Sequence, residues 1–333
     1  DGRLRDRESP YAALVERGGE DPALEAAARR DIETFTLLAE LDWDQVLAEV
    51  GGKAPREYGP VLANLPRWRG SSPFSFAELT EFYRANGAGL FARHRAFLWE
   101  DGALCPVEQP DCPGADEMLG YELQRNRVIA NTRAMLEGNL VNNVLLYGDS
   151  GTGKSATVKN LLTLPGFEAL RLIEVQKEGL ADLPRLIRTL GGRRLKFILF
   201  IDDLAFDQDD KTYSALKTIL EGGLERRPAN VAVYATSNRR RLVRQTFSDR
   251  AGDEVDASET IQEKTSLSDR FGLRIPYLAL NQAEFLELVE GMAEQAGIAL
   301  DRDSLRAEAV KWEMRNPGRT PRTAKQFIAS LSL

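Results

Sequence analysis

The pattern of apolar and polar residues changes along this chain after about residue 113. Up to about residue 113, alanine, leucine and acidic residues recur at helical spacing, most clearly at residues 22–50 and 76–99. Residues 101–114 contain three prolines and have the composition of a linker. The pattern therefore predicts an N-terminal helical domain, residues 1–113, followed by a change of fold.

From residue 119, short apolar runs alternate with helical stretches. Predicted strands lie at 143–147, 170–175, 197–201, 231–235 and 273–278, with helices at 154–164 and 180–190. Apolar strands that alternate with helices indicate a parallel sheet buried on both faces. After Asn281, a candidate helix N-cap, only helical patterns follow. We expect an α/β domain over residues 114–280 with a five-stranded parallel sheet, and a helical unit over 281–333.

Composition narrows the class of protein. The 333 residues carry a net charge of −7, which lowers the expectation of a dedicated nucleic-acid binder. Cys105, Cys112 and His94 are the only cysteines and histidine, too few for a four-ligand structural zinc site. No apolar run approaches the roughly eighteen residues of a membrane span, and no signal peptide pattern is present. We expect a cytoplasmic protein without a membrane partner.

One glycine-rich segment follows the first of the buried strands and opens a helix. It matches the P-loop, or Walker A, pattern at every fixed position and consists of Gly148, Asp149, Ser150, Gly151, Thr152, Gly153, Lys154 and Ser155, with Ala156 next. Glycines let backbone N–H groups close around phosphates, and a helix N-terminus attracts negative charge. Lys154 is expected to bind the β- and γ-phosphates of ATP, and Ser155 to bind Mg²⁺.

A second motif, which is acidic, completes the expected site. The apolar run at 197–201 ends in Asp202 and Asp203, a Walker B pattern. A buried parallel strand delivers such carboxylates to the sheet edge where ligands bind. We expect Asp202 to hold Mg²⁺ and Asp203 to polarise the attacking water.

With these motifs in place, the chain from about residue 116 to its end resembles the AAA+ superfamily of P-loop ATPases, which implies a helical lid after the sheet. The resemblance makes Asn238, after the fourth predicted strand, the polar sensor that orients water. It makes Arg270 the arginine finger that enters the ATP site of a neighbouring subunit. Arg322, or alternatively Arg319, would contact the γ-phosphate from the lid.

The resemblance also implies that the segment at 119–122 covers the adenine. Leu119 and Tyr121 are the expected contacts, although both are equally compatible with simple core positions. A narrower resemblance is to the bacterial AAA+ branch named domain-of-unknown-function family 815. It rests on residues 120–125, the P-loop, 201–204, 220–225, 236–240 and 262–264. The branch implies a fold and ATP binding, and no biological task.

Asp203 departs from the pattern of most AAA+ motors, which carry glutamate there. Loss of a well-placed base costs about 10²–10⁴ in rate, so the shorter side chain puts fast turnover in doubt while leaving nucleotide binding intact. Helicase-loader-like AAA+ proteins resemble this chain in having two aspartates.

These expectations combine into a predicted function. The chain would be an ATPase that binds Mg-ATP between subunits of a homo-oligomer, a hexamer-like ring or a helix, and remodels a protein partner chosen by the N-terminal domain. The alternative is an ATP-dependent switch or loader on DNA with slow or no hydrolysis, based on the basic cluster Arg239, Arg240, Arg241 and Arg244. A third interpretation is a scaffold that binds ATP without hydrolysing it.

Overall fold

The computed structural model describes residues 9–53, 55–64, 75–114, 116–205, 216–217, 219–220, 227–238, 267–316 and 318–331. The chain divides into two compact units, residues 1–92 and 93–333. The division therefore lies about twenty residues before the expected boundary at residue 113.

The first unit is helical in its described part. Its helices are α1 Pro10–Glu16, α2 Pro22–Glu40, α3 Trp43–Lys53, α4 Gly59–Ala63 and α5 Phe76–Asn86, and α6 Leu90–Arg93 spans the division. Helix α2 begins where Asp21 accepts hydrogen bonds from the N–H groups of Ala23 and Leu24. Helix α5 begins with a capping box between Ser75 and Glu78. The helical pattern predicted at 22–50 is confirmed, and the one predicted at 76–99 is helical only as far as residue 93.

The second unit is built around one sheet. Its strands in the described residues are β1 Ala96–Glu100, β2 Ala103–Pro106, β3 Val144–Gly148, β4 Leu170–Val175, β5 Lys196–Ile201, β6 Val231–Ser237 and β7 Leu273–Tyr277. Their order is β2-β1-β4-β5-β6-β3-β7, and every pair is parallel except β1 with β2. All five predicted strands are present, shifted by at most two residues at their ends.

The predicted strand count and the helical pattern at 76–99 need correction. Residues 96–106 form an antiparallel hairpin, with β1 also pairing in parallel with β4. The hairpin turns at Asp101 and Gly102, which both have left-handed φ values, 49° and 72°, as a tight two-residue turn requires. The expected linker thus contains a sheet strand. The sheet has seven described strands because this hairpin extends it beyond β4.

Helices cover the sheet, as its buried strands require. They are α7 Glu122–Leu136, α8 Lys154–Asn160 and α9 Leu183–Leu190, with 3-10 turns at Leu161–Thr163 and Lys177–Asp182. All residues of β6 are buried, and β5 is buried except for its first residue. This confirms the prediction of a parallel sheet buried on both faces. The predicted helix at 180–190 begins three residues later because a 3-10 turn precedes it.

The last three helices of the described residues are α10 Gln282–Gln295, α11 Arg302–Arg315 and α12 Pro321–Leu331. We call them the C-terminal helices. Asn281 caps α10, as predicted, and the structure shows that it does so in a capping box with Glu284. The three helices share their own apolar core, which includes Phe285, Ala309 and Phe327. The α/β sheet followed by a helical unit is confirmed. No helix in the described ranges is long and apolar enough to cross a membrane.

An ion-pair cluster joins two C-terminal helices and yields a pH-dependent prediction. Glu290 on α10 contacts Arg302, with 2.9 Å between Oε1 and Nε, and Arg306. These hydrogen bonds lower the pKa of the Glu290 carboxyl from 4.5 to about 2. The pairs therefore stabilise the fold fully above pH 4.5, and this stabilisation is lost as the pH falls towards 2.

We expect Glu290→Gln to lower the free energy of unfolding by roughly 1 kcal/mol at pH 7, measured by urea denaturation. The difference from wild type should shrink from about pH 5 downwards as the wild-type pair is lost. Glu294→Gln, at an exposed position on the same helix, is the control. A difference that stays constant from pH 7 to pH 3 would contradict the ion-pair explanation.

Candidate nucleotide-binding site

The glycine-rich loop lies where the sequence predicts it, between β3 and α8. Asp149, the loop residue directly after β3, is held by the last residue of β7 and by the segment that follows β7. The Asp149 N–H donates to the Tyr277 carbonyl over 2.9 Å, and its Oδ2 accepts from the Ala279 N–H over 2.6 Å. Thr152 Oγ1 donates to the Asp149 carbonyl over 2.8 Å. The end of β7 therefore sets the conformation of the loop.

Lys154, the first residue of α8, has its amine at the centre of the site. Its Nζ donates to the Gly148 carbonyl at 3.0 Å, the Asp149 carbonyl at 2.7 Å and Asn238 Oδ1 at 2.9 Å. Burial lowers the pKa of Lys154, while the nearby carboxylates of Asp149, Asp203 and Asp202 act in the opposite direction. The charge thus lies in a polar pocket with acidic neighbours.

The Walker B carboxylates come off the end of β5 beside this lysine. Asp202 Oδ1 accepts from Ser155 Oγ over 2.6 Å, so the two predicted magnesium ligands touch. Asp203 Oδ1 accepts from Asn238 Nδ2 over 2.8 Å. The structure therefore brings Lys154, Ser155, Asp202, Asp203 and Asn238 together at the carboxyl edge of the sheet.

These residues line one cavity of about 660 Å³. Its walls include these predicted residues: Leu119, Tyr121, Ser150, Gly151, Thr152, Gly153, Lys154, Ser155, Ala156, Asp202, Asp203, Asn238 and Arg322. Gly148 and Asp149 do not line the cavity, and their carbonyls accept hydrogen bonds from Lys154 Nζ. The volume falls within the usual range for small-molecule sites, about 300–1,000 Å³.

The donor set fits Mg²⁺. No group of three or more His, Cys, Asp or Glu side chains among the described residues could hold a metal ion by itself. Mg²⁺ does not need such a cage, because it is bound through one or two protein oxygens together with substrate phosphates and several waters. A hydroxyl and a carboxylate oxygen, those of Ser155 and Asp202, match that requirement beside a phosphate-binding loop.

The loop also touches the C-terminal helices. The Arg322 N–H donates to the Gly151 carbonyl over 3.2 Å, and Arg322 Nη1 lies 3.5 Å from Ser150 Oγ. Gly151 has a φ of 77°, and a Cβ atom there would lie 2.9 Å from Arg322 Cβ. Glycine is therefore required by both the backbone conformation and the close approach of α12.

The structure distinguishes the two candidate lid arginines. Arg322 lines the cavity, whereas Arg319 Nε donates to Glu313 Oε1 over 2.6 Å and does not line it. Arg322 thus has the position expected for a phosphate contact from the C-terminal helices.

Arg270 lies at the other edge of the sheet. It precedes β7, and β7 runs parallel to β3 with Leu273 opposite Val144 and Tyr277 opposite Gly148. The five residues of β7 span about 16 Å at roughly 3.3 Å per residue. Arg270 therefore sits one strand length from the loop of its own chain and does not line the cavity.

The expected adenine contacts lie at the far end of the cavity. Tyr121 stacks on Tyr277, with ring centroids 5.1 Å apart, and its hydroxyl donates to the Leu278 carbonyl over 2.6 Å. The Tyr277 hydroxyl bonds Thr157 Oγ1 over 2.9 Å. Burial raises the pKa of Tyr277 to about 12 and also raises that of Tyr121, so both phenols stay protonated at neutral pH.

The cavity also has lining residues that the sequence did not assign to the site, among them Thr236, Tyr277 and Lys325. Thr236 and Tyr277 stand at the ends of predicted strands, which place them at the ligand edge of a parallel sheet. This position at the end of a strand was the one sign in the sequence that they could belong to the site. Their polar contacts reach across more than thirty residues of sequence, which no local motif reveals. The basic cluster at 239–244 lies outside the described residues, as do residues 262–264.

A protein-family model described as "Protein of unknown function (DUF815)" matches residues 92–332, well over half the chain. The chain belongs to this family. The parallel sheet, the P-loop and the C-terminal helices of this DUF815 member agree with the fold that the sequence resemblance implied. No curated protein matches the chain.

Solved structures with similarity to this DUF815 chain include Thermotoga maritima proteins. The RuvB Holliday junction branch migration motor is 17% identical with a TM-score of 0.42, and the alignment covers 66% of this chain and 63% of RuvB. The RuvB T158V variant has a TM-score of 0.44 with the same identity and coverage.

A third structure is the Aeropyrum pernix Orc1 protein in complex with DNA. It is 18% identical with a TM-score of 0.43, over 62% of this chain and 58% of Orc1. The DUF815 chain thus spans less than two thirds of each of these proteins. Similarity at this level carries no conclusion about activity or partners.

The contrast between Arg322 and Arg319 yields a prediction for nucleotide binding. We expect Arg322→Ala to weaken ATP binding about 10-fold to 100-fold, because a charged hydrogen bond contributes roughly 1.5–3 kcal/mol. The measurement is titration with a fluorescent ATP analogue. Arg319→Ala, which removes the pair with Glu313, is the matched control and should bind like wild type. Equal losses in both variants would contradict the assignment of Arg322.

Proposed function

We propose that this protein is an AAA+ ATPase that binds Mg-ATP in the cavity and hydrolyses it in an oligomer to remodel or move a macromolecular partner. The supporting observation is the convergence of Lys154, Ser155, Asp202, Asp203 and Asn238 at one sheet edge. These are the types of side chain that in-line attack of water on a γ-phosphate uses.

Lys154, Ser155, Asp202 and Arg322 would bind the phosphates of ATP and the magnesium ion. Lys154 and the N–H groups at the start of α8 would bind the phosphates, and Lys154 would exchange its carbonyl contacts for phosphate oxygens. Ser155 and Asp202 would hold Mg²⁺, which supplies positive charge against the developing phosphate charge. Arg322 would add charge from the C-terminal helices.

Asp203 and Asn238 would orient the attacking water. Their hydrogen bond of 2.8 Å holds the carboxylate and the amide as one unit. Asn238 also accepts from Lys154, so the water-orienting pair is joined to the phosphate-binding lysine. A carboxylate within hydrogen-bond reach of water can act as a general base even when its side chain is short.

Arg270 would act on a neighbouring subunit. Its place about 16 Å of strand away from its own loop supports an action on the ATP of a neighbouring subunit. A contact in trans joins two different surfaces of identical chains. Such a head-to-tail interface closes into a ring, hexamer-like in our proposal, or continues as a helix.

The contact between Gly151 and Arg322 supports a role for the C-terminal helices as a moving lid. A γ-phosphate bound by the loop and by Arg322 would hold this contact, and its release would loosen it. The helical unit at residues 1–92 would choose the protein partner. DNA is the alternative partner, and the basic cluster on which it depends lies outside the described residues.

The first test is the Mg²⁺-dependent ATPase rate measured against protein concentration. We expect the specific rate to rise with concentration, and Lys154→Ala, Asp203→Asn and Arg270→Ala each to lower kcat by about 10²–10⁴. Tight ATP binding without turnover at any concentration would favour the switch or scaffold interpretations instead.

A mixing experiment tests the trans action of Arg270. Subunits with Lys154→Ala keep the finger, and subunits with Arg270→Ala keep the nucleotide site. We expect an equimolar mixture to recover part of the wild-type rate. The matched control is a mixture of Lys154→Ala with Asp203→Asn, in which every nucleotide site is impaired and no recovery is expected. Recovery in neither mixture would count against the shared site.

A further inference from the structure

Thr236 is a buried residue that the proposed chemistry does not yet use. It is the last residue but one of β6, it is 2% exposed, and it lines the nucleotide cavity between the two Walker B carboxylates and Asn238. Both its side chain and its main chain contact the turn that follows β5.

The hydroxyl of Thr236 acts on both aspartates. Thr236 Oγ1 donates its proton to Asp202 Oδ1, the same oxygen that accepts from Ser155. The same Oγ1 accepts the N–H of Asp203 over 2.8 Å. A hydroxyl has one proton and two lone pairs, so these two contacts fix the direction of its donor.

The backbone at Asp203 shows why such support matters. Asp203 has a φ of 50°, a left-handed conformation that few residues other than glycine adopt. Such conformations persist where the surroundings hold them. Here Thr236 Oγ1 binds the N–H of Asp203, and the Thr236 carbonyl accepts from the N–H of the next residue, Leu204, over 2.7 Å.

We propose that Thr236 is a positioning residue that sets both Walker B carboxylates at once. Its hydroxyl turns Asp202 towards Ser155, and its two main-chain contacts hold the left-handed turn that points the short Asp203 side chain at Asn238. The turn thereby compensates for an aspartate where most AAA+ motors have glutamate. This inference rests on the proposed ATPase function and deepens it.

The test compares Thr236→Val, which keeps the shape and loses the hydroxyl, with Thr236→Ser, which keeps the hydroxyl. We expect Thr236→Val to lower kcat by about 10-fold to 100-fold and to raise the Mg²⁺ concentration needed for half-maximal rate. The KM for ATP should change by less than roughly threefold, because the loop is untouched. Thr236→Ser should restore kcat to within roughly threefold of wild type.

The matched control is Thr132→Val. Thr132 on α7 is also a fully buried threonine, and its hydroxyl bonds the Tyr234 hydroxyl over 2.8 Å, away from the cavity. It should lose thermal stability without a change in Mg²⁺ dependence. The melting temperature of each variant shows whether it is folded. If Thr236→Val does not fold, Thr236→Ala replaces it in the comparison with Thr236→Ser.

A double-mutant cycle separates positioning from general damage. If Thr236 acts through Asp203, then Thr236→Val should cost much less in kcat when Asp203→Asn is already present. Full additivity of the two losses overturns the inference for Asp203.

Two outcomes distinguish the inference from the function on which it rests. Wild-type turnover that Lys154→Ala abolishes, with normal kcat and Mg²⁺ dependence in Thr236→Val, overturns the role of Thr236 alone. Absence of any turnover sensitive to Lys154→Ala overturns the proposed function, and the inference falls with it.

Discussion

The site depends on the burial of one positive charge. Lys154 is 6% exposed, and a charged amine removed from water is stable only where acceptors and opposite charges surround it. The acceptors come from the end of β3 and from Asn238 after β6, and the charges come from Asp149 after β3 and from Asp203 and Asp202 after β5. Strands far apart in sequence must therefore end at the same level. Parallel pairing in the observed register meets that condition.

The same constraint explains why the loop and the C-terminal helices are linked. Asp149 is anchored to the end of β7, and the chain leaves β7 directly into the segment that starts α10. Gly151 then meets Arg322 from α12. The loop is therefore packed between the end of β7 and helix α12.

Much of this arrangement could be predicted from the sequence because it depends on local patterns. The strand–loop–helix around Lys154 and the apolar strand before Asp202 are contiguous motifs, and Asn281 shows its capping box with Glu284 directly. The hairpin of β1 and β2 was missed because each strand is short and Trp99 also fits a helical pattern. Thr236 and Tyr277 were missed because their partners are set by sheet register. That Arg322 and not Arg319 lines the cavity could not be read from the sequence, because it depends on the position of Glu313, which pairs with Arg319.

The two outer strands of the sheet, β2 and β7, both contain a proline. β2 is four residues long and ends in Pro106, and β7 contains Pro276. The main-chain groups of Leu273 and Tyr277 point towards β3. Because main-chain groups alternate in direction along a strand, those of Pro276 point away from the sheet, and proline has no N–H to donate there. Neither outer strand offers a continuous row of donors to a second chain. A short edge strand and an outward-facing proline both oppose edge-to-edge aggregation, so this sheet offers little main chain for another strand to extend.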